Sequence, residues 1–168
     1  GPRGGFILCK KQYQERIDRA VFPGIQGGPA MNTIAAKAVS LHLATTPEFA
    51  AYMEKSVVRA KNTARAFEKL GYRIVSGGTD CHLFVIDLTK LGITGRAAEA
   101  ALEKVGILVS RSAIPFDPQK PLITSGIRIG TLATTARGLT EEHSLEVIDL
   151  IDATLRNSAD IGHLERIK

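Results

Sequence analysis

The chain contains no tryptophan, two cysteines and two methionines in 168 residues, and aromatic residues make up 5% of it. Each shortage excludes something. Two cysteines, Cys9 and Cys81, cannot build the disulfide framework of a small secreted domain, and neither has the spacing of a metal ligand. Both fall in apolar, strand-like runs, so they are expected to be buried free thiols of a reducing compartment. The four histidines (His42, His82, His143, His163) are scattered without ligand-like pairing, so no metal site is expected. No apolar run is long enough to span a membrane, and nothing at the start reads as a signal peptide. The aromatic shortage also bears on the net charge of +5. No aromatic platform adjoins a basic strand, and basic residues interleave with acids, as in Glu15-Arg16-Ile17-Asp18-Arg19, which argues against nucleic acid. Solvated helix faces, or affinity for small anions, explain the charge more simply.

What is present is ordinary core-forming material: 44% hydrophobic and 23% charged residues, enough for a soluble globular chain with one domain and part of another. Gly4 to Cys9 reads as a short buried strand, followed by a helix from about Gln12 to Phe22. Pro23 to Pro29, with three glycines and two prolines, breaks the pattern before an alanine-rich helix from Met31 to about Thr45. A glycine turn before a helix presents backbone N–H groups to an anion, so Gly27 and Gly28 are phosphate-site candidates. Their spacing matches neither the dinucleotide nor the Walker pattern, and a plain connecting loop accounts for them equally. Thr46-Pro47-Glu48 is a helix start, and Phe49, Met53, Val57, Ala60, Ala64 and Phe67 form one apolar stripe ended by Gly71. That helix exceeds the usual globular length, which suggests an element bridging two bodies.

From Tyr72 the order is strand to Ser76, turn, a near-continuous apolar strand from Cys81 to Leu88, a helix capped by Thr94 through Val105, and a short strand at Ile107–Ser110. A proline loop, a further strand and a helix from Glu141 to about Asn157 follow, the last with Leu145, Ile148, Ile151 and Leu155 inward. The tail from Asp160 also looks helical. This is a small α/β layer of helices on a mostly antiparallel sheet. The first forty-five or so residues hold one strand and two helices with no sheet to join. The simplest organisation is the end of a larger domain, a long connecting helix and a complete small domain.

The stretch Ile114–Thr131, IPFDPQKPLITSGIRIGT, stands out. Three prolines exclude a helix or an interior strand. On the strand that follows, Arg128 points away from its neighbours Ile127 and Ile129. Beside Thr124, Ser125 and Gly126 its guanidinium offers a planar fork for a carboxylate or phosphate. An ordinary solvated strand arginine is the alternative.

Read together, GPRGG at residues 1–5, AVFPGIQGGP at 20–29, IAAKAV at 34–39, SGGTD at 76–80 and TSGIRIGT at 124–131 resemble serine hydroxymethyltransferase, in that family's order and spacing, over essentially the whole chain. The resemblance implies the C-terminal part of a fold-type I pyridoxal-phosphate-dependent transferase: a small α+β domain with a mostly antiparallel sheet plus the tail of the large domain. Residues 1–46 would end the cofactor-binding large domain, 47–70 would be the connecting helix and 71–168 the small C-terminal domain. The implied activity interconverts serine plus tetrahydrofolate with glycine plus 5,10-methylenetetrahydrofolate, in a cytoplasmic homodimer or tetramer. By the same resemblance Arg128 would grip the substrate α-carboxylate, Gly27 and Gly28 would meet the cofactor phosphate from the neighbouring subunit, and Arg3 would lie near the cofactor. Ser112, Lys120, Pro121 and Leu122 would belong to the folate site.

This sequence departs from the family pattern at three places. Ser112 stands where an asparagine is usual, Asn32 where a histidine is expected and Cys81 where an asparagine is expected. The Schiff-base lysine of the family falls just upstream of GPRGG, so these residues by themselves are expected to be inactive. Two other readings stay open: a different enzyme of the same scaffold, of threonine aldolase or α-methylserine type, and a non-catalytic docking or regulatory domain.

Overall fold

The computed structural model describes residues 1–158 and 160, so the helical reading of the tail beyond Asp160 lies outside the described residues. The chain divides into two compact units, Gly1–Ala50 and Ala51–Lys168.

In the first unit the expected strand at Gly4–Cys9 does not form. Phe6, Ile7 and Leu8 are exposed, Leu8 at 86%, and Cys9 is exposed rather than buried. A strand needs a neighbour to satisfy its N–H and C=O groups, and residues 1–50 contain no second strand to pair with. The expected helix at Gln12–Phe22 is shorter: a 3₁₀ turn at Lys11–Tyr13, then α1 at Gln14–Arg19. A wider turn at Ala20–Ile25 follows, in which Phe22 and Pro23 leave helical geometry. Pro23 ends the helix because it has no N–H to donate. Helix α2 spans Met31–Leu43, and Lys37 ties the first residues to it, its Nζ donating to the Gly5 carbonyl at 2.8 Å. No residue of this unit is buried.

Helix α3 runs Pro47–Lys69, with the Thr46 hydroxyl accepting from the Phe49 N–H at 3.3 Å. Its stripe is buried at Ala60, Ala64 and Phe67 but not at Phe49. Phe49 lies in the first unit, whereas Ala60, Ala64 and Phe67 lie in the second with the sheet. Gly71, at φ +91°, ends the helix, and the Tyr72 N–H closes back onto the Phe67 carbonyl at 3.0 Å.

The second unit contains one antiparallel sheet in the order β1-β2-β4-β3: β1 Arg73–Ile74, β2 Leu83–Asp87, β3 Ser110–Ser112 and β4 Gly126–Gly130. The apolar β2 is central, as its composition requires. β1 stops early because Val75–Gly77 turns, with Ser76 at φ +69°. β3 begins at Ser110, three residues later than Ile107. Ile107 is held at the end of the preceding helix, its N–H donating to the Leu102 carbonyl at 2.9 Å, so Ile107 and Val109 pack on the core without joining the ladder. Cys81, before β2, is exposed. It precedes the strand and points its thiol at the Thr79 hydroxyl and the Leu83 carbonyl.

Helix α4 (Gly95–Lys104), a short α5 (Leu132–Ala136) and α6 (Glu141–Arg156) complete the unit; α5 has too few residues to show periodicity. Thr140 begins α6 with a reciprocal cap: its hydroxyl accepts from the His143 N–H at 3.1 Å, and His143 Nδ1 accepts from the Thr140 N–H at 3.5 Å. One face of the sheet supplies Phe84, Ile86 and Ile127 to a core with Ala64, Phe67, Ala98, Leu102, Ile148, Ile151 and Leu155. Each large side chain fully removed from water contributes about 1.5–3 kcal/mol. Leu145, expected inward, is exposed instead; it flanks a groove of about 450 Å³ that Val58 of α3 lines opposite it.

Candidate functional site

The sheet face away from that core holds the expected carboxylate-binding residue, Arg128. Arg128 is exposed between buried Ile127 and half-buried Ile129, which is the alternation a strand imposes. It pairs with Val85 on β2 and Ser110 on β3, and Ser112 pairs with Gly126. Directly opposed residues share a face, so Ser110, Ser112 and Arg128 lie together. Arg128 makes no hydrogen bond or ion pair with any described residue. By contrast, Arg73 on the edge strand is committed to Asp87 and Arg111 to Glu99. A strand guanidinium with all its donors free can take a planar anion bidentately.

Gly126 is required where it stands. A Cβ there would meet the Ile86 carbonyl at 2.8 Å and the Ser112 carbonyl at 3.0 Å, because β4 is sandwiched between β2 and β3. At Gly95 an added Cβ would overlap the Thr124 hydroxyl and the Gly126 carbonyl. Helix α4 thus starts hard against the entry to β4. Its first N–H groups, on Gly95 and Arg96, donate to the carbonyls of Thr124 (2.9 Å) and Ile123 (3.0 Å). Thr124 is buried at φ +58°, a left-handed placement that costs a β-branched residue about 1–2 kcal/mol. The Ile123 and Thr124 N–H groups both return to the Lys120 carbonyl, so Lys120-Pro121-Leu122 is an exposed turn leading into the Arg128 strand. Ser112 is half-buried, with its hydroxyl 3.4 Å from the Ala113 carbonyl.

One residue that sequence reasoning missed organises this loop. Asp117 accepts from the N–H groups of Ile114 (3.1 Å), Gln119 (2.9 Å) and Ser125 (2.9 Å), and from the Ser125 hydroxyl (2.6 Å). Burial pushes its pKa up, but these four donors outweigh that and hold the carboxyl down at about 2. The Asp117-Pro118 dipeptide was the available signal, since Asp before Pro favours turn initiation.

The glycines of the first unit behave differently. Gly27 and Gly28 lie in an exposed segment just before α2, and an added Cβ at either would meet nothing. Neither has a positive φ, so the unit's own fold does not demand glycine there. The N-cap of α2, Ala30, offers no side-chain cap and the first turn holds no acid, so the helix start suits an anion electrostatically. Arg3 is exposed. The two departures Asn32 and Cys81 fall in the first turn of α2 and beside Thr79, respectively.

A serine hydroxymethyltransferase family model matches residues 1–151. The chain belongs to the serine hydroxymethyltransferase family. The family is one of transferases of one-carbon metabolism, and it uses pyridoxal phosphate and tetrahydrofolate. The residues present fit a phosphate-bearing cofactor: two glycines unexplained by their own fold precede a helix start that carries no acid. They also fit a carboxylate substrate, through the unpartnered Arg128. Among the described residues no cluster of three His, Cys, Asp or Glu side chains is placed to hold a metal, and no helix is long and apolar enough to cross a membrane.

Proposed function

We propose that this chain is the C-terminal portion of a fold-type I, pyridoxal-phosphate-dependent serine hydroxymethyltransferase that interconverts serine and glycine with tetrahydrofolate as the one-carbon carrier. The observation that carries the proposal is Arg128, an unpartnered guanidinium on a sheet face it shares with Ser110 and Ser112, in a chain of this family. Arg128 binds the substrate α-carboxylate and thereby orients the bonds at the α-carbon. Ser112 and the Lys120-Pro121-Leu122 turn form one wall for the folate. Gly27 and Gly28 let the backbone approach the cofactor phosphate, across a dimer interface, and Arg3 adds positive charge nearby. Bound pyridoxal phosphate would supply the electron sink for breaking bonds at the substrate α-carbon. Residues 1–46 then belong to the large domain, 47–70 to the connecting helix and 71–168 to the small domain of a cytoplasmic homodimer or tetramer. The residue that anchors the cofactor covalently is not among these, so the chain alone does not turn over serine.

The test is Arg128→Lys in the intact polypeptide. Lysine keeps the charge and loses the fork. Charge-assisted hydrogen bonds contribute about 1.5–3 kcal/mol, so the KM for serine should rise roughly 10- to 150-fold, with the melting temperature unchanged because Arg128 supports no other group. An unchanged KM, or an intact wild-type protein that neither binds pyridoxal phosphate nor converts serine, would sink the proposal.

Ser112 favours a second reading. A single hydroxyl cannot reproduce the two-pronged donor and acceptor set of an amide, and this one lies beside the Ala113 carbonyl. On that reading the enzyme cleaves β-hydroxy amino acids without folate. Cleavage unaffected by added tetrahydrofolate selects it, and stimulation rejects it.

A further inference from the structure

The proline loop has few backbone ties of its own. Pro115, Pro118 and Pro121 donate nothing, Phe116 sits at φ +57° and is fully exposed, and Thr124 sits at φ +58°. Asp117 compensates for this. Its Oδ2 accepts from the N–H groups of Ile114 and Ser125, and its Oδ1 accepts from the Gln119 N–H and the Ser125 hydroxyl. Two of these donors belong to the loop. The other two belong to Ser125, the residue immediately before β4, three positions from Arg128. The Ser125 carbonyl in turn accepts from the Leu88 N–H at 2.9 Å, so the clamp is anchored to the end of the central strand as well.

We propose that Asp117 is a positioning residue that fixes the Lys120-Pro121-Leu122 turn against the strand carrying Arg128, and so sets the spacing between the folate wall and the carboxylate grip. The inference rests on the folate and carboxylate roles proposed for those residues. Only an ionised carboxylate suits the position, because all four of its neighbours donate. An asparagine keeps one acceptor oxygen and turns an NH₂ group toward two donors.

The experiment compares Asp117→Asn and Ser125→Ala with wild type in the intact polypeptide. Three quantities are read: KM for tetrahydrofolate with serine, the rate of folate-independent cleavage of a β-hydroxy amino acid, and the rate of chymotrypsin nicking after Phe116. In Asp117→Asn the folate KM should rise about 10-fold and nicking should accelerate about 10-fold, while folate-independent cleavage stays within about twofold, as expected for the loss of charge-assisted hydrogen bonds. Ser125→Ala, which removes one donor and leaves its N–H in place, should shift the same quantities in the same direction by about threefold. A general structural role would lower both activities together, and that outcome overturns the proposal, as does an unchanged folate KM. If wild type shows no folate-dependent turnover, the positioning role falls with the proposed function. The nicking rate at Phe116 then decides by itself whether Asp117 clamps the loop, and an unchanged rate rejects the clamp too.

Discussion

The two units carry the same kind of apolar side chain, but only the second buries any of it. In Ala51–Lys168, Phe67, Ile86, Leu102, Ile127 and Leu155 are at most 1% exposed. In Gly1–Ala50, Phe6, Ile7, Leu8, Phe22, Ile25 and Met31 are all more than half exposed. The difference follows from pairing. The second unit has a four-stranded sheet on which three helices lay their apolar stripes, whereas the first has helices and an extended segment with no sheet beneath them. These side chains are left largely uncovered by the described residues. Burial here reports which elements have partners, and hydrophobicity alone does not predict it.

The sharpest way to break this comparison is to truncate one phenylalanine in each unit. Phe67 is fully buried and packs edge-on to Tyr72 at 5.5 Å and beside Phe84 at 6.0 Å. Phe67→Ala should cost about 3–5 kcal/mol, while Phe22→Ala, at an exposed position, should stay within about 0.5 kcal/mol. Urea unfolding of the 168-residue chain measures both, and equal losses would abolish the distinction between the units.

A smaller effect sharpens the contrast between glycines. Gly95→Ala drives a methyl group into the Thr124 hydroxyl and the Gly126 carbonyl, and overpacking of this kind costs about 1–3 kcal/mol. Gly27→Ala meets nothing and should leave stability unchanged. Under the proposed function its effect falls on cofactor affinity, read as a weaker dissociation constant for pyridoxal phosphate in the intact protein.

The smallest effect is a pH dependence confined to the second unit. Asp117 and Asp87 are both held below the usual carboxylate range. At each, burial opposes ionisation and is outweighed: by Ser125, Gln119 and Ile114 at Asp117, and by Thr89 and Arg73 at Asp87. A depressed folded pKa means the unfolded chain takes up the proton first. The stabilisation is therefore complete above about pH 4, near the unfolded carboxylate value, and is lost as pH falls toward about 2. Thermal melts between pH 2 and pH 6 should show the melting temperature falling in that acid window, and Asp117→Asn should flatten part of the fall. A profile identical to wild type would remove Asp117 from the account.

Much of the second unit was legible in the sequence because its signals are local. Thr94 and Thr140 each start a helix with a hydroxyl that accepts from the N–H three residues on, as Thr46 does at the end of the first unit, and Gly71 ends one with a left-handed turn. The continuous apolar run before Asp87 announced the central strand, and alternation alone put Arg128 on the face opposite Ile127. The misplacements share a different cause. Gly4–Cys9 has strand composition but no partner, Ile107 is held to the end of α4 so that the strand starts only at Ser110, and Leu145 lines an open groove between α3 and α6. Asp117 escaped notice because its importance lies in Ser125, eight residues away, and no periodicity connects the two.

By itself the sequence determined the long helices α2, α3, α4 and α6, the threonines that cap three of them, which face of β4 carries the guanidinium and, through motifs in order, which family the chain resembles. Those properties depend on neighbours within a turn or two, where backbone geometry dictates what each residue type can do. Only the tertiary structure decided that Arg128 has no partner while Arg73 and Arg111 do, that Ser112 shares its face, that two exposed cysteines are not core residues, and that a single aspartate ties the proline loop to the strand. Each of those depends on groups distant in the chain arriving within hydrogen-bonding or van der Waals range, and that proximity exists only once the sheet has assembled.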